Sequence, residues 1–333
     1  MKYRILLLFL LWSTFGFSQQ IAIKELLQEA ESRYWDNPEH SIRIAEYILD
    51  QKEGTEISAR ANLVLGKSYF VQSKIHEATK ATLKAKDLIQ KHHHIPLQID
   101  IALFNVELIN QMSLTTVADD LKVEIDILKN QSTISRFVEN QILILEAEKA
   151  LARDDFLTSG EYFNAIRSNV NASDSIQSFR IALGQARLKF KQGAIEKSRE
   201  ILERIPPGAP NFFQVLKLNL LAEIHFNNNE FTRAVSKWTQ AKDLAKELPN
   251  DELANQSIKG LIEVYLIQAN SKRYLNYKQE ANLLSANLIT NRVQAVNFTY
   301  NYYEDLEQQL AQRRLAHTKK NIYLMSGGFV FLI

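Results

Sequence analysis

One segment of the sequence comes close to the pattern of a phosphate-binding loop. Residues 61–68 read Ala-Asn-Leu-Val-Leu-Gly-Lys-Ser, so Gly66 is followed by Lys67 and Ser68. A phosphate-binding loop needs flexible backbone whose N–H groups surround the phosphate oxygens, directly after a buried strand. The residues before Gly66 contain no glycine, and their apolar spacing is that of an amphipathic helix. The segment therefore favours helix packing over nucleotide binding, and no cofactor is expected.

Histidines raise a second possibility, a metal site. His92, His93 and His94 are consecutive, and consecutive side chains at a helix end point in divergent directions. No carboxylate stands at ligand spacing around them. The triplet is therefore interpreted as a solvated tip between helix pairs, and no metal is expected. His225 stands at a helix-packing position, which predicts a core or groove histidine.

The common catalytic motifs are missing from the sequence. It contains no H-E-x-x-H, G-x-S-x-G or G-x-G-x-x-G segment. The acid pairs at 119–120 and 154–155 suit turns or helix starts better than acid/base chemistry. His317 lacks the flanking Glu and Arg expected around a kinase phospho-acceptor histidine. The sequence predicts no catalytic residue, and the protein is not expected to be an enzyme.

Composition indicates a helical protein with a large core. The 333 residues are 46% hydrophobic, and ten glycines and six prolines are too few for the turns of a many-stranded fold. With no cysteine, the chain has no disulfide, thiolate metal site or cysteine nucleophile.

The first 18 residues are predicted to be a secretion signal. Lys2 and Arg4 precede the apolar run 5–11, and the small residues of 16–18 suit cleavage before Gln19. The alternative, a membrane anchor, needs about 20 apolar residues. Cleavage lowers the 40 basic residues to 38, equal to the 38 acidic ones, so nothing attracts nucleic acid. We expect an exported protein at the periplasmic face of the cell membrane.

Two stretches have the spacing of closely packed helix pairs. In the first, Gly66 and Ala78 are small so that two helix backbones can cross closely. In the second, Ala222 and Ala234 take the same positions. The residues predicted to pack between helices are Leu65, Gly66, Tyr69, Ala78, Ala147, Ala186, Leu221, Ala222, Ala234 and Trp238.

These stretches resemble the tetratricopeptide repeat, whose pattern is W-x2-L-G-x2-Y followed by A-x3-F. The resemblance covers residues 19–275 and implies an all-α fold, a right-handed α-solenoid of about seven helix pairs. The steps between pairs exceed the roughly 34 residues of the standard repeat, so a divergent family with longer pairs fits equally well. The Pro-rich segment 206–210 is either a tight loop or a hinge. The pairs are expected to begin near Ala22, Ala59, Ile99, Asn140, Phe179, Val215 and Asn255.

The pattern changes after the repeats. Residues 276–320 predict a long helix and a possible coiled coil, which either caps the last pair or forms a homodimer seam. Residues 321–333 carry no charge and resemble the start of a transmembrane helix, although the basic residues before them oppose the positive-inside bias. The seam residues recur at three- and four-residue steps, with Glu307 at the one missed position, and they are Ile289, Val293, Val296, Tyr300, Tyr303 and Leu310.

The resemblance also implies a binding groove, because the exposed faces of the first helices line the concave surface of such arrays. Its Arg and Lys side chains are expected to clamp a carboxylate or an acidic peptide. The order of segments resembles the sensor region of bacterial membrane signalling proteins with a histidine kinase or helix-turn-helix output. The alternative is a periplasmic scaffold for envelope complexes. The expected groove residues are Arg60, Lys67, Phe70, Arg180, Arg187, Phe190, Asn219, Glu223 and Phe226.

Overall fold

The computed structural model describes residues 22–92, 94–131, 135–167 and 175–330 of the chain. The predicted secretion signal, 1–18, lies outside the described residues. Within them the chain forms α-helices and no β-strand, which confirms the all-α prediction. The helices are α1 (22–33), α2 (Pro38–Asp50), α3 (Thr55–Val71), α4 (Ile75–Ile89), α5 (Ile95–Gln111), α6 (Thr115–Gln131), α7 (Arg136–Ala152), α8 (Phe156–Arg167), α9 (Ser175–Lys191), α10 (Ile195–Glu203), α11 (Asn211–Asn227), α12 (Phe231–Glu247), α13 (Asp251–Ile267) and α14 (Ser271–Val330).

The odd-numbered helices from α3 to α13 are uniform. Each has 17 residues, or about 25 Å of helix. They begin four residues before the expected starts, for example at 55 instead of 59 and at 251 instead of 255. Each packs against the even-numbered helix that follows it, and each from α3 to α11 also packs against the next odd-numbered helix. The odd-numbered helices therefore form one continuous inner layer.

The turn after each of these six helices has the same backbone conformation. Two residues past each helix end, one residue has a positive φ. The next amide donates to the carbonyl five residues earlier, as from Lys74 to Tyr69 at 2.9 Å and from Glu230 to His225 at 2.8 Å. These bonds satisfy the last helix carbonyls and reverse the chain in the same way each time. The positive-φ residues are Ser73, Ser113, Asp154, Gly193, Asn229 and Ala269.

Small residues allow the close helix contacts. A side chain at Gly66 would collide with the Thr82 hydroxyl, and one at Gly260 would collide with the Trp238 ring. Gly66 was expected to be a contact residue, whereas Gly260 was not recognised from the sequence. Of the other predicted packing residues, Tyr69 and Leu221 are half-buried and the rest are buried, namely Leu65, Ala78, Ala147, Ala186, Ala222, Ala234 and Trp238.

The ends of the first two inner helices, α1 and α3, meet the starts of the last two, α11 and α13. Trp35, just after α1, contacts Phe212 and Phe213 at ring-centroid distances of 5.0 and 4.9 Å. The Asn250 amide donates to the Val71 carbonyl at 2.6 Å, across 179 residues. The inner layer is therefore closed around a central lumen instead of forming an open groove.

The Pro-rich segment 206–210 is a tight loop. The amide of Ala209 donates to the carbonyl of Pro206 at 3.1 Å, and Lys217 Nζ donates to the carbonyl of Ile205 at 2.6 Å. Ala209 is buried in this loop. The hydrogen bonds and the burial favour the loop over a hinge.

Helix α14 packs on both α13 and α4. Asn291 accepts from the amide of His76 at 3.1 Å and donates to Glu77 at 3.1 Å. The expected seam divides between two environments: Val296 and Tyr303 pack on the core around α5, as a capping helix requires. The dimer seam stays a prediction for the exposed members, which are Ile289, Val293, Tyr300 and Leu310.

The predicted membrane segment, 321–333, is described only in part. Residues 321–330 continue α14 in backbone, and 331–333 lie outside the described residues. Among the residues that the structure describes, no helix is long and apolar enough to cross a membrane.

Candidate functional site

The lumen contains two cavities lined by the inner helices. Lobe 1, between α1 and α9, has a volume of about 940 Å³. Lobe 2, between α5 and α13, has a volume of about 690 Å³. Trp35, Phe70, Glu107 and Arg180 line both lobes. Both volumes fall within the roughly 300–1,000 Å³ typical of ligand pockets.

An aromatic bridge, formed by Trp35, Phe212 and Phe213, stands where the two lobes meet. Phe213 also contacts Phe179 at 5.6 Å between ring centroids. Trp35 is 8% exposed and Phe213 is 1% exposed, so the bridge is mostly buried. It joins the turn after α1 to the start of α11 across the lumen.

Two ion pairs on neighbouring inner helices line lobe 1. Arg60 on α3 donates to both carboxylate oxygens of Glu31 on α1, at 2.9 and 2.6 Å. Lys67 on α3 donates to Asp100 on α5 at 3.2 and 3.1 Å. Burial acts to lower the pKa of Lys67, but the charges of Asp100, Tyr34 and Glu31 and the hydrogen bond to Asp100 together raise the pKa above its usual value. Lys67 therefore stays charged, with its charge already matched.

A third cation connects three inner helices at the boundary of the lobes. Arg180 on α9 donates to Glu107 on α5 at 3.2 Å and to Glu148 on α7 at 2.9 Å. Its side chain is 11% exposed. Burial raises the pKa of Glu107, and Arg180 opposes that rise while the nearby charge of Glu148 adds to it. Two carboxylates thus share one guanidinium in a desolvated position.

Charges in lobe 2 are matched less directly. Glu223 on α11 accepts a hydrogen bond from Gln256 on α13 at 3.4 Å, and the nearby charge of Arg187 is a second favourable influence. Burial nevertheless raises the pKa of the Glu223 carboxyl. Arg292 lies 3.4 Å from Glu252, with both side chains about half exposed.

The structure separates the expected groove residues into two groups. Arg60, Lys67, Phe70 and Arg180 line lobe 1, and Phe70, Arg180, Arg187 and Glu223 line lobe 2. The other three lie in the packing between helices, which corrects their expected position.

Those three residues face neighbouring helices. Asn219 is 1% exposed and accepts from the Ser257 hydroxyl at 2.7 Å, so it joins α11 to α13. Phe190 packs on the core beside α10, and Phe226 contacts Trp238 at 5.7 Å.

Several lumen residues were not recognised from the sequence. Trp35 lies in a turn, and Phe212 and Phe213 follow the Pro-rich loop, outside the repeat pattern. Phe137, at the start of α7, lines lobe 1 with 45% of its surface exposed. The sequence did show a large aromatic residue at a predicted helix start, but only the tertiary structure shows that this residue lines the lumen.

The segment that resembles a phosphate-binding loop is part of α3. Gly66 packs against α4, and Lys67 is bonded to Asp100. The chain there has no flexible loop to surround a phosphate.

The histidines take local structural positions. His94 caps α5 by accepting from the amide of Leu97 at 3.2 Å, and His93 lies outside the described residues. His225 Nδ1 lies 2.6 Å from the Glu230 carboxylate. Among the described residues, no three potential metal ligands are grouped together.

No protein-family model matches the chain, and no curated protein is significantly similar to it. The resemblance to tetratricopeptide repeats therefore depends on its own residues and helix geometry.

Proposed function

We propose that the chain is a non-enzymatic binding module, built as a right-handed α-solenoid of seven helix pairs like those of tetratricopeptide proteins. Three observations support the solenoid: uniform inner helices, one repeated turn conformation, and contacts between successive inner helices. In such arrays the inner helices form the binding surface. The proposed ligand is a segment of another protein, held in the lumen.

The lumen is the single observation that carries this proposal. Its two lobes, of about 940 and 690 Å³, are lined by residues from every inner helix. Volumes of this size are typical of ligand pockets, and the walls combine apolar and polar side chains, so the lumen is where a ligand is expected to bind.

We place this module outside the cytoplasm, as the sensor part of a membrane-anchored signalling or transcription-regulating protein. The predicted secretion signal and the resemblance to bacterial sensor regions support this placement. The predicted C-terminal membrane segment is part of the same proposal.

A scaffold for envelope complexes is the second candidate, and one observation favours it. All residues of α14 from 307 to 319 are exposed, so a second surface lies apart from the lumen. Deleting residues 304–333 separates the candidates. A scaffold loses one of two partners, whereas a sensor keeps its lumen ligand and loses only the cellular response.

Site-specific photocrosslinking tests the lumen. A benzoylphenylalanine in place of Phe137, in lobe 1, is expected to give discrete adducts with a partner in intact cells. The matched control is the same probe at Leu157, which is 76% exposed at the start of α8. Equal adducts from both positions, or none from Phe137, would count against a lumen ligand.

A further inference from the structure

The walls of lobe 1 are mainly apolar. They include aromatic and aliphatic side chains from four successive inner helices. Phe137, on α7, lines the lobe and is 45% exposed. Exposed aromatic surface of this kind is where interfaces gain most of their binding free energy. The apolar residues that matter here are Leu63, Leu97, Phe104, Phe137, Ile176 and Phe179.

The cations of lobe 1 are already bonded to acids of the same chain. Arg60 pairs with Glu31, Lys67 with Asp100, and Arg180 with two glutamates. A carboxylate arriving on a ligand would have to displace one of these carboxylates. The exchange would make one ion pair and break another, so it would gain little free energy. These cations therefore give an acidic ligand little advantage.

From this balance, and resting on the proposed binding function, we infer that lobe 1 takes an uncharged partner segment with large aromatic or leucine-like side chains. This replaces the acidic peptide expected from the sequence. The ion pairs have a structural role instead, because each joins two inner helices and keeps the apolar wall between them in place. Because this wall is formed before binding, fewer side chains have to be ordered when the partner associates, and the entropic cost of binding is lower.

Selection from a displayed library of random twelve-residue peptides tests this inference on the full-length protein. Peptides that bind are expected to be rich in Phe, Trp, Tyr and Leu, with a net charge near zero. The affinity of a synthetic winning peptide is then measured by fluorescence polarisation. Raising the salt from about 50 to about 500 mM is expected to change its Kd less than about threefold, because screening affects mainly charged contacts.

Variants connect that affinity to lobe 1. Phe137→Glu and Ile176→Glu are each expected to weaken the winning peptide at least about tenfold, because each places a charge on the apolar wall. Leu157→Glu, on α8 away from the lumen, is the matched control and should leave the Kd unchanged. Thermal unfolding followed by circular dichroism shows whether each variant is folded, and two separate lobe 1 variants guard against one that is not.

Different failures have different meanings. Acidic winning peptides, whose binding weakens about tenfold with salt and with Arg60→Gln, would overturn the apolar ligand but keep the binding function. Winning peptides whose Kd is unchanged by both Phe137→Glu and Ile176→Glu would overturn the assignment to lobe 1. An absence of any enrichment, together with an absence of lumen adducts in the crosslinking experiment, would overturn the binding function itself.

Discussion

Lobe 1 and lobe 2 share the aromatic residues at their boundary but differ in how their charges are matched. In lobe 1, Arg60 and Lys67 bond directly to acids at 2.6 to 3.2 Å. In lobe 2, Glu223 accepts its bond from the neutral Gln256, and the Arg292–Glu252 pair is longer and more exposed. The cations of lobe 1 are thus held in ion pairs beside apolar walls. In lobe 2, burial disfavours the charged form of Glu223. The lesson is that the pairing of charged side chains, and not only their presence, distinguishes two sites built on the same helices.

The largest expected effect comes from the cation at the boundary. Arg180→Met leaves Glu107 and Glu148 in place without their guanidinium, and losing one partner of a buried ion pair costs about 3–5 kcal/mol. We expect the free energy of unfolding, measured with urea, to fall by that amount. Arg187→Met, seven residues later on the same helix, is the control and should change it by less than about 0.5 kcal/mol. Equal losses in the two variants would remove the distinction between the lobes.

A middle-sized effect is expected at the aromatic bridge. Phe212 is half-buried, so Phe212→Ala should cost about 1–2 kcal/mol, less than a fully buried phenylalanine. The emission of Trp35 should shift to longer wavelength because the indole loses a ring contact. Phe190→Ala, at another half-buried phenylalanine, should lower stability without that shift. An unchanged spectrum in Phe212→Ala would show that Phe212 does not shield the Trp35 indole.

The smallest effect tests the buried acid of lobe 2. Because burial raises the pKa of Glu223, its native state binds a proton more readily than the unfolded state. The protonated Glu223 side chain is therefore tolerated in the native state at low pH, and stability is lost as the pH rises through the native pKa and the carboxyl ionises. Glu223→Gln should raise the free energy of unfolding by a few tenths of a kcal/mol near pH 7. The gain should shrink toward pH 4.

The control for this pH effect is Glu252→Gln in the same lobe, where the side chain is 53% exposed. Its effect on stability should be within about 0.5 kcal/mol and should not follow the same pH curve. A gain for Glu223→Gln that persists at low pH would point to packing, not to the buried charge.

Much of the helix layout could be predicted from sequence. Small residues at positions such as Gly66 and Ala78 marked where helices cross, and the inner helices begin within four residues of the expected starts. The register implied by the tetratricopeptide resemblance also predicted that Arg60, Lys67 and Arg180 face the groove. The repeated turn could not be predicted, because serine and alanine occupy positive-φ positions that usually favour glycine or asparagine.

The sequence by itself determined an all-helical chain and the approximate helix starts. These follow from local spacing, since a helix has a fixed period and its small residues mark close crossings. Tertiary structure alone decided that Trp35 meets Phe212 and that each lobe 1 cation has an acid of its own chain. Both depend on contacts between residues far apart in the chain, such as that of Asn250 with Val71, and no short stretch of sequence encodes such contacts.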